Sequence, residues 1–139
     1  MKTVLVIDAQ GGGIGKQIVS LLKKQMEGIH IIAVGSNSVA TNAMLKAGAD
    51  EAATGENSVV VASRRADIIV GPIGIVIADA MLGEITPVMA AAVGQSAAKK
   101  VLIPFYTCDN YVVGLENTST AALIRLAVER ISSILAEVR

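Results

Sequence analysis

Tryptophan is absent, and one phenylalanine and two tyrosines are the only aromatic side chains in 139 residues. Phe105, Tyr106 and Tyr111 are too few and too clustered to build the stacking platforms of a single-strand nucleic-acid binder. An excess of either charge is missing too: 12 Lys and Arg balance 12 Asp and Glu. That removes the electrostatic footprint of a protein that binds nucleic acid or an anionic membrane surface. A single cysteine, Cys108, excludes an internal disulfide framework and suits a reducing, cytoplasmic setting. Long hydrophobic runs are missing although the chain is 53% apolar, with a mean hydropathy of +0.60. The run from Ile68 stops at Asp79, and the one from Ile85 to Ala98 is interrupted by Thr, Pro, Gly, Gln and Ser. Neither reaches the roughly 18 uncharged residues that a membrane-spanning helix needs. The N-terminal TVLVI run, broken by Asp8, is too short for a signal-peptide core. A chain this apolar that stays in water is expected to cover part of its surface in a homo-oligomer.

What is present alternates. Residues 3–7 (TVLVI) form a β-branched run of the kind found in a central parallel strand buried on both faces. Residues 14–26 follow with apolar positions at helical period, Ile14, Ile18, Leu21, Leu22 and Met26. Residues 29–34 make a second strand and 38–47 a helix, with Ser38 as the expected N-cap and Gly48 as the stop. Strands are expected at 50–54, 67–70 and 101–104, and helices at 57–66 and from Thr86-Pro87 to about Ala98. The chain closes with an amphipathic helix over 120–138. A sixth strand, 111–115, follows the fifth too closely for a parallel crossover, so it is expected as an antiparallel edge strand. With no linker or repeat, residues 1–139 read as one domain, long enough to bury about two-thirds of its unfolded surface. The pattern predicts an α/β, Rossmann-like three-layer sandwich of about five parallel strands plus that edge strand.

In such a sheet ligands bind outside the carboxyl ends of the strands. The first of those ends is VIDAQGGGIGKQIV, residues 6–19, with four glycines in five positions. No register supplies the three glycines of G-x-G-x-x-G. The short-chain dehydrogenase form G-x-x-x-G-I-G fits with Ala9 in place of its first glycine. The loop also resembles the GKGGIGKS phosphate loop of the nitrogenase-iron-protein class of ATPases, through Gly12-Gly13-Ile14-Gly15-Lys16. Gln17 replaces the hydroxyl that would hold magnesium there, and Gln10 the leading glycine, which argues against ATP hydrolysis by that mechanism. The general physics remains: consecutive glycines let backbone N–H groups converge beside a helix N-terminus, and Lys16 adds a cation. Glycine costs up to about 1 kcal/mol per ordered site, more than helix–strand packing alone would require of four. Asp8, Gln10, Gly11, Gly12, Gly13, Ile14, Gly15 and Lys16 are therefore expected to line a phosphate site, with Asp8 holding a ribose, a cation or the loop's own amides.

The second strand ends on Gly35-Ser36-Asn37-Ser38, where an NAD site would carry Asp or Glu and an NADP site an Arg. Ser36, Asn37 and Ser38 are expected to contact ribose or a second anion, leaving NAD(P) or another nucleotide open. The fourth strand ends on Gly71, Pro72, Ile73 and Gly74, which should complete the cleft across from the glycine loop. The next helix must start at the same edge, so residues 72–86 must remain on the ligand side as a lid, a protruding helix or a subunit contact. Asp79 and Glu84 are the acidic groups on that connection, candidates for a site wall or a cation contact. The stretch from Ile75 to Ala98 is the expected oligomer surface. His30 falls at the opposite edge, which points to a structural role. Cys108 has no histidine near it to activate a thiolate. Arg64-Arg65 and Lys99-Lys100 sit near helix ends as solvated charges.

The blocks VIDAQGGGIGKQ, AVGSNSVATNAMLKAGADEAATGEN, DIIVGPIGIVIADAMLGEITPVMAAAVGQS and KKVLIPFYTCDN together resemble a family of short bacterial proteins catalogued only as a domain of unknown function. The resemblance spans nearly the whole chain and implies a single compact cytoplasmic domain without an assigned activity. It also implies a Gly where Ala9 stands, which would restore the dehydrogenase-like register. The Ser-x-x-x-Tyr-x-x-x-Lys pattern of short-chain dehydrogenases is absent, so hydride transfer of that type is disfavoured. No catalytic residue or metal-ligand set emerges. The expectation is a protein that binds a nucleotide or another phosphate-bearing small molecule; the alternative is a homo-oligomeric scaffold or regulatory subunit.

Overall fold

The computed structural model describes residues 1–105, 109–115 and 118–137. Five strands, β1 (Lys2–Asp8), β2 (Ile29–Gly35), β3 (Glu51–Thr54), β4 (Ile68–Pro72) and β5 (Lys99–Ile103), alternate with helices. The helices are α1 (Gly13–Gln25), α2 (Ser38–Lys46), α3 (Glu56–Arg65), α4 (Pro87–Gln95) and α5 (Thr120–Glu137), and a 3-10 turn at Ile73–Val76 follows β4. The strands form one sheet in the order β3-β2-β1-β4-β5, and every pairing is parallel. The order reverses direction between β1 and β4, which makes that boundary the topological switch point.

Side chains alternate across the sheet with period two. Val4, Val6, Ile31, Ile68 and Val70 pack with Ile18, Leu22, Met44 and Ile131 of α1, α2 and α5. Leu5, Ile7, Ile32, Val34 and Ile69 pack on the other side with Val59, Met89 and Val93 of α3 and α4. Helices on both faces bury β4 and all but the first two residues of β1 and β2, which explains their β-branched runs. Register places Asp8 beside Gly35, and Gly35 beside Thr54, so the strand tips line up along one edge.

Two expectations need correction. Residues 111–115 form no strand, and the sheet among the described residues is wholly parallel. Asp109 at φ 62° and Gly114 at φ 86° turn the chain. Tyr111 and Val113 are 91% and 98% exposed, so no surface rewards an extended pairing there. The α2 cap is Asn37 rather than Ser38. Asn37 is extended (φ −143°, ψ 166°) and its Oδ1 accepts from Ala40 N at 2.9 Å, whereas Ser38 already lies inside the helix. Thr86 and Pro87 open α4 as expected, with Thr86 Oγ1 accepting from Met89 N at 3.1 Å.

Candidate functional site

The carboxyl edge at the switch point is organised by two carboxylates. Asp8, the last residue of β1, is 1% exposed. Its Oδ1 accepts from Ala9 N at 2.8 Å and its Oδ2 from Gly15 N at 2.7 Å. It thus ties the strand tip to the first turn of α1 and holds the loop's own amides. Burial pushes its carboxyl above the usual 3.8; the amides of Gly15 and Ala9 oppose that shift, and the charge of Glu84 adds to it. A carboxyl raised in the folded state contributes most below its unfolded pKa, and that contribution is lost as pH rises through the folded value. Its role as acceptor for two buried N–H groups offsets the cost of burying the carboxyl.

The four loop glycines divide into two kinds. A Cβ on Gly12 would lie 2.8 Å from Ala40 Cα, and Gly12 sits at φ 75°. A Cβ on Gly15 would lie 2.5 Å from Met44 Sδ and 2.8 Å from Asp8 Cβ. These two let α1 pack closely on α2 and β1. Gly11 and Gly13 have nothing within 4 Å of an added Cβ, and their N–H groups take no hydrogen-bond partner among the described residues. Gly12, the N-cap residue of α1, has no side chain to cap it and the first turn holds no acidic residue, so the side-chain acceptor at this terminus is Asp8, through Gly15 N. Ile14 turns into the core, so only its backbone faces the loop, and Lys16 is exposed.

Glu84 brings three loops together. Its Oε1 accepts from Gln10 N at 2.8 Å, Ser36 Oγ at 2.6 Å and Asn37 Nδ2 at 2.8 Å. Asn37 Nδ2 also donates to Gln10 O at 3.0 Å, and Gln10 is itself left-handed at φ 51°. Partial burial raises the Glu84 carboxyl, but the bonds from Ser36, Gln10 and Asn37 outweigh it and leave the group below its usual 4.5. The segment delivering Glu84 stays on the carboxyl edge, as the topology requires. It is built of tight turns, with Asp79, Met81 and Leu82 at φ 66°, 57° and 58° and Gly83 at φ 86°. Left-handed backbone costs a non-glycine residue about 1–2 kcal/mol. The buried Ala80, Met81 and Ile85 anchor the segment against that cost.

The structure therefore brings Asp8, Gln10, Ser36 and Asn37 together with Glu84. Ser38 is exposed on the first turn of α2. Gly71, Pro72 and Gly74 are buried and Ile73 half-buried; a Cβ on Gly71 would run into the Ile7 carbonyl, so its glycine is required by the close approach of β4 to β1. Asp79 is exposed and does not reach the cluster. Glu56 accepts instead from Thr86 Oγ1 at 2.6 Å. His30 lies at the opposite edge, 2.6 Å from Glu51 Oε2. Cys108 lies outside the described residues. No group of three or more His, Cys, Asp or Glu able to hold a metal ion occurs among the described residues. Away from this edge, α3 and α4 enclose a groove of about 600 Å³ bordered by Val60, Val88, Ala91 and Ala92, with the buried Ser63 hydroxyl lacking a partner.

The role of Glu84 is only half legible in the sequence. Its place on the ligand side follows from topology, but its meeting with Ser36 depends on how the left-handed turns fold back. No periodicity encodes that path.

Comparison with solved structures finds the same fold in the crystal structure of AibC, with a TM-score of 0.52 and 19% identity over 95% of this chain. The chain spans 42% of the AibC chain. The crystal structure of a dodecameric FMN-dependent Ubix-like decarboxylase from Escherichia coli O157:H7 aligns with a TM-score of 0.45 and 18% identity, covering 95% of this chain and 76% of that one. At these identities the likeness to AibC is one of fold. No curated protein matches the chain. No helix among the described residues is long and apolar enough to cross a membrane. A family model matches residues 3–136, and the chain belongs to that family, the domain of unknown function DUF3842.

Proposed function

We propose that the protein binds a phosphate-bearing small molecule, a nucleotide in the first instance, at the carboxyl edge between β1 and β4. One observation carries this reading: Gly11 and Gly13 leave open space and unpartnered N–H groups at a helix N-terminus where Asp8 takes only the Gly15 amide. Such a terminus attracts anions through its dipole and its orphan donors. Packing requires Gly12 and Gly15 but not these two. Lys16 on the first turn supplies a cation, Ser36, Asn37 and Ser38 border the far side, and the Gly71 to Gly74 turn closes the crevice. The test is a thermal-shift panel of NAD, NADP, ATP, ADP, coenzyme A and inorganic pyrophosphate. At least one should raise the melting temperature, and Gly13→Val, whose side chain projects into the open space, should abolish the gain. If none shifts the melting temperature, or if the gain survives Gly13→Val, the reading fails.

A second reading, a homo-oligomeric scaffold, is favoured by the largely apolar α3–α4 groove, where Val88 is 51% exposed. The two are compatible, since none of the residues that border the α3–α4 groove belongs to the glycine loop or to the Glu84 cluster.

A further inference from the structure

Glu84 stands at the tip of β2, where an open parallel sheet that binds a dinucleotide carries the acid that reads the ribose. The local sequence there, Gly35-Ser36-Asn37-Ser38, has no acid; the carboxylate arrives instead from the connection after β4. Its Oε1 is saturated by Gln10 N, Ser36 Oγ and Asn37 Nδ2 at 2.6–2.8 Å, while its Oε2 takes no hydrogen bond among the described residues. A carboxylate held by one oxygen and free at the other is oriented for an incoming donor, as supporting hydrogen bonds orient functional ligands elsewhere. Displacing it would break three charge-assisted bonds, the strong kind, so a ligand that keeps Glu84 in place is favoured over one that expels it. Resting on the phosphate-site reading above, we infer that Glu84 is a specificity-determining residue that accepts from the vicinal hydroxyls of a nucleoside diphosphate. The diphosphate would lie on the Gly11 and Gly13 amides, one and three residues beyond the Gln10 amide that Glu84 holds. A negative oxygen at the ribose favours the free diol and repels a 2′-phosphate.

The test uses the full chain and isothermal titration with ADP, 2′-deoxy-ADP, NAD, NADP and inorganic pyrophosphate. Wild type is expected to bind ADP at least about tenfold tighter than 2′-deoxy-ADP, and NAD at least about tenfold tighter than NADP. In Glu84→Gln both ratios should fall to within about threefold, with pyrophosphate still bound. Wild-type ratios near one overturn the inference and leave the phosphate site standing; they decide the matter even if the variant does not fold. A gain of about tenfold in pyrophosphate affinity in Glu84→Gln also overturns it, because Glu84 would then be competing for the anion's place. Failure of wild type to bind any of the five probes removes the phosphate-site reading itself.

Discussion

Alanine at Gly11 or Gly13 meets open space, whereas alanine at Gly12 or Gly15 meets backbone or a packed sulfur. An alanine scan of the loop should therefore split in sign. Gly15→Ala is an overpacking change, expected to cost about 1–3 kcal/mol, and Gly12→Ala adds the strain of φ 75° to its clash. Gly11→Ala and Gly13→Ala restrict the unfolded chain without a native clash, and each should be neutral or stabilising by up to about 1 kcal/mol. Urea unfolding of the four variants reads this directly; comparable losses at all four would mean that the whole loop is a packing device. The density of glycine is visible in the sequence, but its division is not. Which glycines packing needs depends on Ala40 and Met44, which approach only once α2 is laid beside α1. Asn37 and Ser38 illustrate the same limit over a shorter distance. Both are good caps by type, and only the backbone angle at Asn37 selects between them.

At the scale of elements, the parallel strands, their helices and the β1–β4 switch point are legible. The signals are local: β-branched runs, caps, and Thr-Pro before α4. The absent sixth strand marks where locality fails, because the apolar run at 111–115 finds no partner and Gly114 turns it. The connection between β4 and α4 lies between these cases. Its confinement to the carboxyl edge follows from connectivity, while the turns that aim Glu84 at Ser36 do not. That tie has a pH signature. Glu84 is depressed in the folded state, so its contribution is present above its unfolded value and lost as pH falls through the folded one. Wild type should exceed Glu84→Gln in stability at pH 7, and the gap should narrow steadily below about pH 4.5. Amide exchange across residues 79–85 should quicken in the variant at pH 7, since those left-handed turns lose their external anchor. An unchanged gap at low pH would show that the tie does not depend on the Glu84 charge.

For the whole molecule the question is which surface is spare. The carboxyl edge at β1 is polar and tied across by Glu84, whereas α3 and α4 border a groove of about 600 Å³ lined mostly by valine and alanine, with Arg64 and Gln95 also on it. With 12 charges of each sign and no net charge, nothing long-range keeps copies apart. Interface cores are depleted in charged residues; Val88, Ala91 and Ala92, within the stretch expected to carry an oligomer contact, form such a patch together with Val60 of α3. Light scattering coupled to gel filtration should therefore find the protein associated at micromolar concentration. Val88→Glu with Ala92→Glu would place like charges face to face across any two-fold contact there, which is strongly unfavourable once water is excluded. Val88 is half-exposed, so the fold should tolerate its charge. The double variant should run as a monomer with an unchanged circular dichroism spectrum and the same ADP affinity. A wild-type monomer at that concentration would reject the α3–α4 contact. Loss of ADP binding along with dissociation would instead mean that the site is complete only in the assembly.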